Sequence, residues 1–155
     1  MSIPRFSFPR RLRIGARLLL AAWFCSGTLH AAEPTKAAAV EVLRGLLGAL
    51  VAQDYGKAVT FFQMPPGATP EDLKKAASRL LELKEISAPG IEILDAKGKW
   101  GKLIDTVEPA RAERFAGKFG VPVAECYGLT LGHAEAGFYW DGKQLKVIRC
   151  DDIGK

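Results

Sequence analysis

The chain is poor in the side chains on which metal and nucleophile chemistry depends, with three cysteines and two histidines among 155 residues. It contains no Cys-x-x-Cys pair and no pair of histidines at metal-binding spacing, so neither a metal site nor another cofactor is expected. It also lacks the phosphate-binding Gly-x-x-x-x-Gly-Lys-Ser/Thr motif and the Gly-x-Ser-x-Gly elbow that holds a serine nucleophile. These absences remove the enzyme classes that short motifs reveal most readily.

An excess of one charge is missing from most of the chain. Lysine and arginine number 22 against 17 acidic residues, but five arginines precede position 33: Arg5, Arg10, Arg11, Arg13 and Arg17. Subtracting these five from 22 leaves 17 basic residues against 17 acidic ones from Glu33 onward. A nucleic-acid binder needs a basic stripe to contact phosphates, and none is visible in this neutral remainder. We therefore expect no nucleic-acid partner.

The chain also has no apolar run long enough to cross a membrane. Residues 18–29 form its longest such run, twelve positions, whereas a spanning helix needs about 20. A basic segment, residues 1–17, precedes this run, and Ala31 and Ala32 follow it, which is the layout of a secretory signal. We predict a cleaved signal peptide over residues 1–32, with cleavage after Ala31 or Ala32. Residues 33–155 are then one domain without a membrane span, periplasmic or secreted.

Two cysteines remain after removal of such a signal, Cys126 and Cys150. Paired cysteines are the rule in oxidising compartments, so we predict a disulfide between them. The strand register derived below argues against this bond, because it separates the two residues by about 20 Å along the sheet. A wide loop through residues 132–137 would reconcile the two expectations.

Helical periodicity dominates the first half of the domain. Apolar residues recur every three or four positions over 35–53, where Gly45 and Gly48 are expected to permit close packing. Asp54 can cap a short second helix, Tyr55 to Phe62. A third helix opens at Thr69-Pro70, with two carboxylates in its first turn, and ends at residues 87–90.

Strand patterns dominate the second half. Ile91 and Ile93, followed by a turn at residues 97–99, predict a hairpin leading to Trp100. A short helix from Pro109 to Gly120 interrupts the strands. Three further strands are predicted over residues 121–131, 134–140 and 143–150, with turns at Gly132-His133 and Asp141-Gly142. The fold class is α+β, with N-terminal helices packed on one face of an antiparallel sheet.

This order of elements resembles the nuclear transport factor-like, or cystatin-like, cone fold. The resemblance covers most of residues 35–152 and rests on the helix junction Gln53-Asp54-Tyr55-Gly56-Lys57-Ala58 and on the Trp-Asp-Gly-Lys hairpin at residues 140–143. It implies a curved sheet and a cone whose open mouth binds a small molecule or a partner. No catalytic motif is carried over, the segment 109–120 departs from the usual pattern, and such a fold alone does not choose a function.

Aromatic side chains and one histidine are the candidate binding residues, because tryptophan and tyrosine favour binding surfaces. They are Tyr55, Trp100, Tyr127, His133, Tyr139 and Trp140. With Asp141-Gly142 as the turn, Phe138 lies opposite Leu145 in the core, and Tyr139 lies on the other, half-polar face with Gln144 and Lys146. The simpler interpretation is that the aromatic residues only stabilise strands.

Catalytic interpretations of the remaining polar residues are weaker. His133 lies near Glu125 and Glu135 in sequence, which suits acid–base chemistry, but a surface turn with solvated carboxylates explains the same pattern. Helix capping accounts for Asp54 and core packing for Tyr55.

The sequence therefore favours an exported, non-enzymatic domain that binds a partner protein or small ligand in the cell envelope. One alternative is a small cone-pocket enzyme, isomerase or hydrolase-like, which requires Asp54, Tyr55 and His133 to converge. Another is an inhibitor or immunity-type protein of an envelope enzyme. The sequence leaves open whether the domain is a monomer or a homodimer.

Overall fold

A computed structural model describes residues 33–154, which belong to the second of two units of the chain, residues 31–155. The predicted signal peptide, residues 1–32, lies outside the described residues. The helices are α1 (Lys36–Val51), α2 (Tyr55–Val59), α3 (Pro70–Glu82), α4 (Ala88–Lys97), α5 (Leu103–Thr106) and α6 (Pro109–Phe119). The strands are β1 (Lys99–Lys102), β2 (Cys126–Leu131), β3 (Ala134–Trp140) and β4 (Leu145–Asp151), in one antiparallel sheet of order β1-β2-β3-β4. The α+β class is confirmed.

Side-chain caps begin the first three helices, and those at Asp54 and Thr69 lie at the predicted positions. Thr35 Oγ1 accepts a hydrogen bond from the Ala38 amide at 3.2 Å, and Asp54 Oδ1 accepts one from the Lys57 amide at 2.9 Å. Thr69 and Asp72 satisfy each other's amides in a capping box. Within residues 33–154, no helix is both long and apolar enough to cross a bilayer.

The predicted hairpin over Ile91 and Ile93 is wrong, since these residues belong to α4. Ser87 Oγ accepts a hydrogen bond from the Gly90 amide at 3.2 Å and so caps the helix. The following Pro89 suits a first helical turn, where its missing donor is harmless. Ile91 and Leu94 are buried one turn apart, whereas Ile93 is 46% exposed. The cap and proline thus start a helix where the sequence interpretation ended one.

The main core lies between the N-terminal helices and one face of the sheet. Its large, fully buried members are Leu43, Leu46 and Leu50 of α1, Ile91 and Leu94 of α4, and Leu129, Phe138 and Val147 of the sheet. The predicted packing of α1 on the sheet is confirmed by this shared cluster.

Helices cover the opposite face of the sheet as well, so the prediction that helices pack on one face only is wrong. A second cluster joins α5 and α6 to the sheet: Leu103, Ala112, Ala116, Cys126 and Ile148, with Phe115, Phe119 and Tyr139 packed against it. The free, half-polar face predicted around Tyr139 is therefore wrong. The amphipathic α6 was predicted, but its docking site was not.

The β3–β4 connection is a four-residue loop, residues 141–144, rather than a two-residue turn. Asp141 Oδ1 accepts hydrogen bonds from the amides of Lys143 and Gln144, each at 2.8 Å, which holds the wider loop. Phe138 consequently lies opposite Val147 instead of Leu145. Because the register at this loop moves by two residues, Leu145 and Val147 keep their predicted face. A further register shift between Gly137 and Phe138 places Cys150 in the main core and Arg149 over the Phe115 ring, on the faces opposite to those that strict alternation predicts.

The predicted disulfide is absent, and Cys126 and Cys150 are both free and buried. They lie on β2 and β4, which β3 separates, so the strands are about 10 Å apart. Cys150 also belongs to the main core and Cys126 to the second cluster, on the opposite face of the sheet. A bridge needs Cα atoms within about 7 Å and converging side chains.

Candidate functional site

The predicted site residues do not share one place. Tyr55 begins α2 and packs, half-buried, against the main core, next to the capping Asp54. His133 is exposed at the turn between β2 and β3. It lines a cavity of about 360 Å³ with Leu131, Ala134 and Asp152. Neither Tyr55 nor Asp54 lines this cavity.

Trp100 and Tyr127 are engaged in packing within the sheet. Their rings stack with centroids 5.3 Å apart and an angle of 10° between the ring planes. The centroids of the Trp100 and Phe138 rings are 5.8 Å apart. Trp100 Nε1 donates to the Pro34 carbonyl at 3.3 Å. The Lys102 ammonium donates to the Tyr127 hydroxyl and lies 4.0 Å from the ring centroid. Both aromatic side chains are therefore explained by local contacts.

Tyr139 lies half-buried against the second cluster. Burial and the nearby Glu125 carboxylate raise the pKa of its hydroxyl. A neutral phenol between a helix and a sheet is a packing residue with a polar edge.

Trp140 lines a cavity whose walls are mostly apolar. This space, here called the hairpin cavity, has a volume of about 410 Å³. Its lining comes from α1, from the segment after α2 and from the β3–β4 hairpin: Ala38, Val42, Thr60, Phe61, Trp140, Lys143, Gln144, Leu145 and Lys146. Of the predicted binding residues, Trp140 alone belongs to this lining.

The wall formed by Phe61 depends on a glycine in α1. A Cβ on Gly45 would lie 2.8 Å from the Phe61 ring, so only glycine permits this approach. The backbone of the same segment pairs with β4. The Val147 amide donates to the Phe61 carbonyl at 2.8 Å, and the Gln63 amide donates to the Val147 carbonyl at 3.0 Å. The predicted close packing at Gly45 is thus confirmed, and it shapes the cavity.

The charged side chains of the lining, Lys143 and Lys146, are both positive. Lys146 Nζ donates to the Thr60 carbonyl, which holds its side chain across the cavity edge. The nearest loop carboxylate, Asp141, is engaged with backbone amides. The amides of Gln144 and Lys143 lower its pKa, as does the Lys146 charge to a lesser extent. The cavity thus has apolar walls and a cationic edge.

A second groove lies between α1 and α4. Its volume is about 500 Å³, and its lining includes Leu47, Gly48, Ala52 and Ile91. Arg44 donates across one end to Glu92 at 2.8 Å and to Asp95 at 3.0 Å. A Cβ on Gly48 would meet nothing within 4 Å, so the predicted close packing at this glycine is wrong.

Glu135 is buried, which corrects its assignment as a solvated strand charge. Its side chain lies under α6, with Arg111 Nη2 at 2.8 Å and Arg149 Nε at 3.3 Å. The second of these contacts is an ion pair without hydrogen-bond geometry. Burial lowers the pKa of Arg149 although the Glu135 charge raises it. The cluster holds α6 on the sheet and lies apart from the hairpin cavity.

Sequence reasoning missed most of the cavity lining, because Ala38, Val42, Thr60 and Phe61 meet the hairpin only in the folded chain. The glycine within α1 was the one local sign of the Phe61 contact. Over residues 33–154 there is no group of three or more histidine, cysteine or acidic side chains placed to bind a metal.

Comparison of the chain with known protein families, with curated proteins and with solved structures found no match. The resemblance to the cone fold therefore stays a prediction.

Proposed function

We propose that the protein is an exported binding domain that holds a small ligand in the hairpin cavity. The observation that carries this proposal is the cavity itself. Its volume of about 410 Å³ lies within the roughly 300–1,000 Å³ range of ligand pockets. It also has the usual composition of such pockets, with hydrophobic and aromatic walls and a few polar groups.

The signal-like layout of residues 1–32 supports export. The arginines there account for the whole net positive charge of the chain, and they precede an apolar run and two alanines. Two free, buried thiols are compatible with export to an oxidising compartment, because the fold keeps Cys126 and Cys150 too far apart to form a disulfide.

The enzyme alternative has less support. It required Asp54, Tyr55 and His133 around one enclosed space, and none of these lines the hairpin cavity. A protein partner, including the target of an inhibitor, would instead use a surface such as the groove between α1 and α4. We favour the small ligand because the hairpin cavity is bounded by three separate segments.

Native mass spectrometry of the protein recovered from the envelope of its own host tests the proposal. The expected result is a small bound mass that disappears on denaturation. The denatured, non-reduced mass also reports cleavage and the two free thiols.

Two matched variants locate the bound mass. Ala38→Trp fills the hairpin cavity, and Ala52→Trp places the same side chain in the groove between α1 and α4. Both alanines are exposed; Ala38 lies in the first turn of α1, and Ala52 directly follows its last residue. We expect the bound mass to be lost in Ala38→Trp and kept in Ala52→Trp. Loss in Ala52→Trp alone would assign the ligand to the groove. A co-purifying protein without a small mass would favour the partner or inhibitor function.

A further inference from the structure

We infer that the hairpin cavity takes an amphiphilic anion, with an apolar chain or ring inside and one carboxylate or phosphate at the edge. This inference rests on the proposed function and adds the chemical class of the ligand. It follows from the distribution of apolar and cationic groups around the cavity.

The inner walls require an apolar body. The side chains of Ala38, Val42, Phe61, Trp140 and Leu145 supply most of the lining, and four of them also pack against or belong to the main core: Val42, Phe61, Trp140 and Leu145. A polar ligand group here would lose its hydration without gaining partners, which is unfavourable. The Trp140 and Phe61 rings favour a hydrocarbon or aromatic portion.

The edge of the cavity requires a negative group. Thr60 Oγ1 already donates to the Lys57 carbonyl at 2.7 Å, and the Gln144 side chain interacts with Asp141. An ammonium has three donors, and Lys146 uses one of them on the Thr60 carbonyl. The Lys143 ammonium has no hydrogen bond or ion pair to any described residue. Lys143 and Lys146 thus keep free, charged donors suited to a carboxylate or phosphate oxygen.

No carboxylate lines the cavity to compete for these cations. The nearest acid, Asp141, accepts from two amides at 2.8 Å and so has much of its charge satisfied by the backbone. A cationic group in a ligand would be repelled by Lys143 and Lys146, so the site disfavours cations and zwitterions. The site therefore selects by charge at the edge and by hydrophobicity within.

The volume sets the size of the ligand. If each non-hydrogen atom occupies about 30 Å³, the volume share of a liquid water, the cavity of about 410 Å³ accepts on the order of a dozen such atoms. Decanoate is a carboxylate of that size, decyl phosphate is its phosphate counterpart and decanol is its neutral counterpart. These three compounds are suitable probes.

Isothermal titration calorimetry of the processed protein with the three probes tests the inference. We expect decanoate or decyl phosphate to bind at least tenfold more tightly than decanol. In Lys143→Gln/Lys146→Gln the anion should lose about tenfold in affinity while decanol is unchanged. Lys97→Gln/Lys99→Gln, which removes two exposed lysines outside the lining, is the matched control and should bind as the wild type. The carboxylate and phosphate arms distinguish a fatty acid from a phosphorylated amphiphile.

Lys143→Gln alone removes no contact within the fold, so it keeps the test valid if the double variant unfolds. Equal affinity for decanol and both anions would overturn the inference while leaving the cavity as a binding site. Undiminished anion binding in the lysine variants would overturn it too. Failure of all three probes would also overturn it, and native mass spectrometry of Ala38→Trp would still decide the proposed function separately.

Discussion

One face of the sheet carries a large apolar core, whereas the other carries a small apolar cluster beside one buried carboxylate, that of Glu135. On the first face, α1 and α4 cover Leu129, Phe138 and Val147. On the second, α5 and α6 cover a few small or medium residues, and Arg111 and Arg149 reach the buried Glu135. The Phe115 ring lies beneath both guanidinium groups, 4.2 Å from that of Arg149.

The two faces differ in how their stability depends on single side chains. Apolar burial is non-directional and is spread over many contacts, so a core can leave a cavity at its margin without losing its fold. Removing the partner of a buried charge lowers the free energy of unfolding by roughly several kcal/mol. The apolar face can therefore hold a ligand site, while the stability of the other face depends on the ion pairs of Glu135 with Arg111 and Arg149.

The largest effect is expected at Phe138, which is 0% exposed in the main core. Phe138→Ala should lower the free energy of unfolding by about 3–5 kcal/mol, because it removes both the buried ring and its contact with Trp100. Urea denaturation measures this loss. Phe119→Ala, in the half-buried margin of the second cluster, is the comparison and should cost less than half as much. Equal losses would show that the two faces contribute alike.

Glu135→Gln tests the ion pairs on the second face. Glu135 is 4% exposed, and its replacement leaves Arg111 and Arg149 without their shared anion. We expect a loss of about 2 kcal/mol, below the roughly 3–5 kcal/mol for fully buried pairs, because both arginines are partly exposed. Glu113→Gln, an exposed glutamate of α6, should change stability by less than about 0.5 kcal/mol. A loss at Glu113 as large as that at Glu135 would contradict the role of burial.

The two free thiols, one on each face, make the fold less stable in alkali. Burial raises the pKa of Cys126 to about 11 and that of Cys150 to about 12, above the ordinary value of 9.0. Above about pH 9 the unfolded chain releases these protons and the folded protein keeps them. Stability therefore falls as pH rises, by up to about 1.4 kcal/mol per pH unit for each thiol.

Denaturant unfolding of the wild type and of Cys150→Ala over this alkaline range measures the effect. Other titrating groups are common to both proteins, so the wild type should lose stability more steeply. Parallel pH curves would mean that the thiol is ionised in the folded protein too.

The smallest effects are expected at the two glycines of α1, and they should have opposite signs. Gly45→Ala forces the Phe61 ring to move and should destabilise the protein by about 1 kcal/mol. This value is the cost of overpacking minus the gain from the higher helix propensity of alanine. Gly48→Ala meets no neighbour within 4 Å and should stabilise by up to about 1 kcal/mol. Thermal unfolding compares them directly. A stabilised Gly45→Ala would show that the Phe61 wall of the cavity is not closely packed.

Local chemistry explains which elements were predictable. The caps at Thr35, Asp54 and Thr69 act within three residues of themselves, so the starts of α1, α2 and α3 follow from the sequence. The α4 helix was missed because Ser87 and Pro89 suit either the end of one helix or the start of another. Packing of Ile91 and Leu94 into the main core decides between these alternatives.

The candidate site was less predictable than the fold. Trp140 was identified as a binding residue from its type and strand position, but a cavity is a property of surfaces that meet. The hairpin cavity needs Phe61 pressed onto Gly45 and a four-residue loop that carries Lys143 to its edge. Neither the Gly45 contact partner nor the loop length can be obtained from residues near Trp140 in the chain.

The sequence by itself determined the α+β class, the caps of α2 and α3, the three-strand meander and the sheet faces of Phe138, Tyr139, Leu145 and Lys146. These follow from hydrogen bonds and periodicities that span a few residues. Only the tertiary structure decided that Cys126 and Cys150 stay apart, that Glu135 is buried with two arginines and that a cavity opens beside Trp140. Each of these depends on the separation of segments that are distant in sequence, which the packing of the whole domain sets.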